Sequence, residues 1–149
     1  MNQLDHVVIA APDLNKAKQA MADQTGVMPI DGGPHLGMGS RNALLSFGNG
    51  SYLEIIAPDP DQNLSGNFGA VLADLKAPEL LHWAIRTDDL TSVAQAARKA
   101  GFTPGDIRET SRRTPSGEVL KWKLLGIAGH SHGGFVPFYI DWLDCVHPS

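Results

Sequence analysis

A single cysteine, Cys145, stands in a chain of 149 residues, which excludes an internal disulfide. So near the C-terminus, this thiol reads as passive rather than as a nucleophile. No apolar run approaches the roughly 18 residues of a membrane span, and no basic region followed by a long apolar one opens the sequence. Basic charge is also short: 12 Lys and Arg against 16 Asp and Glu give a formal net charge of −4, so nucleic acid is not an expected partner on electrostatic grounds. These absences make a cytoplasmic protein with no membrane and no nucleic-acid partner the expectation. The 42% apolar and 19% charged content is ordinary for a globular chain, and the length fits one domain, residues 1–149, that buries a real core.

The chain repeats itself. Leu4-Asp5-His6-Val7-Val8-Ile9-Ala10 places a histidine in an apolar strand, and 76 positions on (82 − 6) Leu81-His82-Trp83-Ala84-Ile85-Arg86 does so again. Offsets from the two histidines agree. Asp13 and Asp89 fall at plus seven, Leu14 and Leu90 at plus eight, and Ala17 and Val93 at plus eleven. Gly26-Val27-Met28-Pro29 answers Gly101-Phe102-Thr103-Pro104 one residue out of step, so two copies of one unit differ by a single helix-length residue.

Within the first unit, residues 4–10 read as a strand covered on both faces, with His6, Val8 and Ala10 on one side and Asp5, Val7 and Ile9 on the other. Asp13 then caps a helix carrying Leu14, Ala17 and Met21, which stops at Gly26. Four glycines and a proline in residues 32–40 predict an irregular segment. Strands follow at 42–47 and 52–57 across a Gly48-Asn49-Gly50-Ser51 turn, and Tyr52, Glu54 and Ile56 share a face. Glu54 is thus an acid in an apolar strand, where an unpaired carboxylate is costly, so it needs a partner.

A connector at about 59–79, with a short helical pattern near Phe68–Leu75, separates module 1 (about 1–58) from module 2 (about 80–145). The second unit predicts a strand at 80–86 and a helix from about Leu90 to Ala100. A strand near 104–110, a turn at 114–117 and a strand at 118–125 follow, the last with Leu120, Trp122 and Leu124 on one face. A glycine-rich loop, 126–134, leads to a strand at 135–142 that aligns Tyr139, Asp141 and Leu143. Each unit carries an acid in its last strand, Glu54 and Asp141. Two histidines and two acids at repeated positions would converge across a pseudo-twofold axis, a ligand set that a divalent metal of borderline softness accepts.

The opening Leu4-Asp5-His6-Val7-Val8-Ile9-Ala10-x-Pro12-Asp13-Leu14 resembles the vicinal oxygen chelate superfamily, more narrowly its glyoxalase-like domain proteins. So do His35-x-Gly37-x-Gly39-Ser40-x-Asn42, Tyr52-Leu53-Glu54, Arg112-Arg113-x-Pro115-x-Gly117-x-x-Leu120-x-Trp122 and Pro137-Phe138-Tyr139-Ile140-Asp141-Trp142. The resemblance implies an α+β fold of two βαβββ modules in tandem, forming a cupped mixed sheet around a central pocket. It places metal positions on His6, Glu54, His82 and Asp141, the last departing from the usual glutamate. Superfamily members include glyoxalase I, extradiol dioxygenases, epimerases and fosfomycin-modifying enzymes, and also metal-free binding proteins, so the fold does not settle the reaction.

The expected function is divalent-metal-assisted lyase or isomerase chemistry on a small molecule with adjacent oxygens, the cofactor being zinc, nickel, manganese or iron if one is bound. Glu54 is the expected catalytic base. His35, Asn42, Arg112, Lys121 and Tyr139 are the expected substrate-binding residues. Two other readings stand beside it: a metal-free small-molecule binding protein of the sequestration or resistance kind, and an extradiol-type dioxygenase. Plainer roles also remain open. Glu54 could accept a hydrogen bond from His6 or Tyr52, Arg112, Arg113, Lys121 and Lys123 could form a solvated face, and His130 and His132 read as exposed loop residues. The pocket is compatible with a single chain or with a homodimer.

Overall fold

The computed structural model describes residues 2–128 and 135–149. In chain order the elements are β1 (Gln3–Ala10), α1 (Leu14–Thr25), β2 (Ile30–His35), β3 (Ser40–Ser46), β4 (Tyr52–Pro58), α2 (Phe68–Ala73), β5 (Glu79–Arg86), α3 (Leu90–Lys99), β6 (Thr103–Pro104), β7 (Arg108–Arg113), β8 (Val119–Leu125), β9 (Ile127–Ala128) and β10 (Phe138–Asp141). Eight strands close into one curled sheet in the order β1-β4-β3-β2-β7-β8-β10-β5. The first unit therefore runs β1-β4-β3-β2 and the second β5-β10-β8-β7, the same order twice. In both, the first strand pairs parallel with the last, β1 with β4 and β5 with β10.

The two units join back to back. β1 and β5 are antiparallel, with His6 opposite Ala84, Val7 opposite Trp83 and Val8 opposite His82. Since 84 is 8 + 76 and 82 is 6 + 76, this register is the twofold relation that the repeat spacing predicts. The ladder slips on either side, between Leu4 and His6 and between Val8 and Ile9. One extra residue is left in each strand, Asp5 in β1 and Leu81 in β5, again 76 apart. A bulge re-aims the side chain it carries. That corrects the expected alternation: Asp5 is turned toward His6 instead of facing away with Val7.

The helices follow their caps. The Asp13 carboxylate accepts from the Lys16 amide at the start of α1, and Asp89 accepts from the Ser92 amide at the start of α3. Leu14 and Ala17 of α1 are buried with Ala11, Ala43, Ile55 and Ala57, while Leu90 and Ala94 of α3 are buried with Leu125 and Ile127. Both helices thus pack outside the curled sheet, whereas Leu72 of α2 packs with Val8, Ala10 and Ile56 on its inner face. Among the described residues no helix is long and apolar enough to cross a membrane.

The segment expected to be irregular contains a strand. Ile30–His35 pairs with β3, and His35 meets Arg112 of β7 in the single pair that closes the sheet between the units. Glycine here permits close approach rather than breaking structure. A side chain at Gly32 would strike Asn42 Oδ1, and one at Gly33, which sits at φ +118°, would strike the Arg113 carbonyl. The strand expected near 104–110 is likewise displaced, to Arg108–Arg113, with only a short β6 at Thr103–Pro104.

Candidate functional site

The inner face of the sheet encloses a cavity of about 520 Å³, lined from both units of one chain. A volume of this size suits a small organic ligand. His6 and Val8 of β1, and Tyr52, Glu54 and Ile56 of β4, reach it because alternate residues of a strand share a face. The second unit contributes His82, Trp122, Leu124, Phe138, Ile140 and Trp142. The walls differ in kind: the first unit, together with Arg112, supplies most of the polar groups, and the second supplies large apolar ones.

Glu54, 8% exposed, has the partner its burial demands. Asn42 Nδ2 donates to Glu54 Oε1 at 2.6 Å, His6 Nε2 lies 3.5 Å from Oε2, and His35 Nε2 lies 3.7 Å from Oε1. Asn42 Nδ2 is also 3.3 Å from His35 Nε2, so that nitrogen accepts, and His35 Nδ1 donates to Ser40 Oγ at 3.0 Å. Burial holds the His35 imidazole below the ordinary histidine range; the Glu54 charge opposes this and Arg112 reinforces it. Burial also pushes the Tyr52 phenol well up, with Glu54 and Asp5 adding to the effect.

His6 is oriented from behind. Its Nδ1 meets Asp5 Oδ1 at 2.5 Å, which leaves Nε2 as the atom presented to Glu54 and the cavity. Asp5 is fully buried and is held in turn by Trp142 Nε1 at 3.0 Å and His147 Nε2 at 2.9 Å, both on Oδ2. Burial alone would raise the Asp5 carboxyl; hydrogen bonds from His147 and His6 outweigh it and hold the group well below the usual carboxylate range. Tyr52 stacks on the His6 ring at 4.7 Å, and Phe138 meets its edge at 5.4 Å. A histidine fixed by a buried carboxylate presents one defined nitrogen.

Six of the expected site residues, His6, His35, Asn42, Glu54, His82 and Arg112, line this one cavity. Three do not, which is a correction. Asp141 sits opposite Lys123 on the outer side of β10, and its Oδ1 accepts from the Leu143 amide at 2.9 Å. Tyr139 packs under α3 with Leu90, Ala94, Leu125 and Ile127. Lys121 is exposed on the outer face of β8, where its amide is bonded to the Cys145 sulfur at 3.2 Å. The reason is register: Val8 pairs with Glu54 in the first unit, and its equivalent, Ala84, pairs with Phe138 in the second. Aligning Asp141 with Glu54 was three residues out, and an odd shift moves a strand residue to the opposite face. His130 and His132 lie outside the described residues.

The donor set for a metal is therefore incomplete. Phe138 fills the fourth position, its ring 4.7 Å from that of His82, and Glu54 Oε1 is already engaged by Asn42. Among the described residues no three His, Cys, Asp or Glu side chains form a group that could hold an ion. The described residues do not fit the divalent metal that the resemblance implies. Sequence reasoning missed Asp5, Trp142 and His147 as the backing of His6. The alternation of 138–142 already placed Trp142 with Phe138 and Ile140, whereas nothing in the sequence marked the bulge at Asp5.

A family model described as a glyoxalase-like domain matches residues 4–149. Among solved structures, a hypothetical protein from Staphylococcus aureus aligns with a TM-score of 0.76 at 18% identity, covering 97% of this chain and 60% of that one. This chain thus spans only 60% of that relative's length. A methylmalonyl-CoA epimerase from Mycobacterium tuberculosis aligns with a TM-score of 0.66 at 25% identity, over 94% of this chain and 87% of the other. A Streptomyces coelicolor methylmalonyl-CoA epimerase variant in complex with 2-nitronate-propionyl-CoA gives a TM-score of 0.62 at 22% identity, over 93% and 96%. No curated protein matches the sequence.

Proposed function

The chain belongs to the glyoxalase-like domain family, within the vicinal oxygen chelate fold, and from that premise we propose that its pocket isomerises a small carbonyl compound by proton transfer. The observation that carries this reading is Glu54, a buried carboxylate facing the cavity 3.5 Å from a histidine nitrogen whose ring is fixed by Asp5. A carboxylate beside an oriented imidazole, in an apolar enclosure, is suited to general acid and base work. Glu54 takes the proton from a carbon next to the carbonyl, leaving an enolate. His6 Nε2 exchanges that proton with Glu54, and reprotonation at the enolate oxygen or on the opposite face of the carbon completes an isomerisation with no net redox change.

A substrate with two adjacent oxygens suits the polar corner of Arg112, Asn42 and Glu54 beside the apolar wall of Trp122 and Phe138. A bound zinc, nickel, manganese or iron ion would polarise the carbonyl. Because the donors do not fit, no step is assigned to it, and metal-dependent lyase and dioxygenase chemistry rank below proton transfer. The methylmalonyl-CoA epimerases of the same fold support this ranking, since epimerisation is the activity their names carry.

The second reading is a binding protein without catalysis, favoured by how closely Asn42 and His6 hold Glu54. Solvent deuterium separates the two. Carbonyl compounds bearing an acidic C–H are incubated with the protein in D₂O and followed by NMR. Exchange that accelerates with protein concentration supports catalysis, whereas saturable binding without exchange supports sequestration. A homodimer and a cytoplasmic location belong to the same proposal and are checked by sedimentation and by cell fractionation.

A further inference from the structure

Arg112 is 4% exposed, and its guanidinium stays cationic even though burial lowers its pKa, because its ordinary value is so high. Among the described residues it has one hydrogen bond, from Nη1 to the Gly32 carbonyl. No carboxylate of the described residues lies within ion-pair distance: Glu54 faces His6 and is bonded by Asn42, and Asp5 faces His6, His147 and Arg86. The segment 129–134 contains no acid. Buried charges are normally paired, and a guanidinium offers five donors in a planar fork that matches a carboxylate. Arg112 also lines the cavity. Trp122, Leu124, Phe138 and Ile140 give the same cavity an apolar surface, and among the described residues no other Lys or Arg lines it.

We propose that Arg112 is an anion anchor and that the pocket takes an amphipathic monocarboxylate. The carboxylate sits on the free side of the guanidinium and an aromatic or branched apolar body lies against the Trp122 and Phe138 wall. A 2-oxo carboxylate with such a body has its second oxygen adjacent to the first and a C–H next to the carbonyl within the same corner. This rests on the proton-transfer reading only for the second oxygen. The anchoring itself stands on Arg112 and the cavity.

The test compares three probes on the native protein: phenylpyruvate, its methyl ester, which removes the charge, and pyruvate, which removes the apolar body. Affinity is followed by calorimetry and C3 proton exchange by NMR in D₂O. Phenylpyruvate is expected to bind at least tenfold tighter than either of the others, and Arg112→Gln to bring acid and ester to within about twofold of each other. Thermal melting reports whether that variant folds; the acid-to-ester comparison on the native chain needs no variant. Equal binding of acid and ester by the native protein, or no binding of phenylpyruvate, overturns the anchor. Arg112-dependent binding without exchange keeps the anchor and removes the isomerase reading, while exchange that is as fast with the ester as with the acid does the reverse.

Discussion

Phe138 occupies in the second unit the register position that Glu54 occupies in the first, each being opposite the residue two positions after its unit's histidine. The two units are thus alike in topology and unlike in side chains, the first lining the cavity with a carboxylate where the second places a phenyl ring. The phenyl ring lies against both His6 and His82, where a second carboxylate would complete a ligand set.

Restoring that acid is expected to create a metal site. Phe138→Glu should take up zinc or manganese near stoichiometry, while the native protein takes up far less under the same conditions, measured by elemental analysis after dialysis. In the absence of metal the variant should be destabilised by about 2 kcal/mol, since it puts a carboxylate in place of an apolar ring. Stoichiometric uptake by the native chain would show that the donors close around an ion despite Phe138.

The Asp5 network predicts a large cost for a small change. Asp5→Asn keeps the shape but cannot accept from His6, Trp142 and His147 as a carboxylate does, and loss of a buried charged partner costs about 3 kcal/mol. Urea unfolding measures it. A change within 0.5 kcal/mol would mean that the network holds no charge.

Acid should weaken the fold in two windows. His35 is kept neutral by burial, so the unfolded chain binds a proton that the folded one does not, and stability is lost as the pH falls below about 6.5. Asp5 is depressed in the fold, so its contribution is present above about 3.9 and is lost as the pH falls through its folded pKa. His35→Gln should flatten the urea midpoint between pH 7 and 5 and leave the loss below pH 4 in place. An unchanged slope between pH 7 and 5 would place the titration elsewhere.

Much of this was legible in the residues themselves. The repeat offset of 76 is the offset of the β1–β5 register, and both aspartates at plus seven cap their helices. Glu54 announced itself as an acid among Leu53 and Ile55, and its partners Asn42 and His35 came from the segment that resembled the family. What failed was position along a strand. The glycine-rich sequence before β10 hid which residue of that strand answers Glu54, and an error of three turned Asp141, Tyr139 and the face they share outward. The strand β2 was hidden because glycine reads as a breaker, whereas at Gly32 and Gly33 it lets β2 press against Asn42 and Arg113. The bulge at Asp5 leaves no mark in composition.

Gly32 gives a direct check on that packing. A methyl group there would strike Asn42 Oδ1 and lie 3.5 Å from Arg112 Cζ, so Gly32→Ala should cost about 2 kcal/mol and disturb the Asn42 contact to Glu54. Thermal melting and the Asn42 side-chain amide resonances report it. A melt and a resonance position like those of the native protein would mean that Asn42 has room to move.

The most direct test of the site's chemistry is the rate of C–H exchange in D₂O for the carbonyl compound that exchanges fastest, measured on chelator-treated protein with and without Glu54→Gln. The account predicts that exchange persists after chelation and falls at least about 100-fold in the variant, in line with loss of a positioned base. Exchange that disappears on chelation and returns with a divalent ion would contradict it and restore the metal to the reaction.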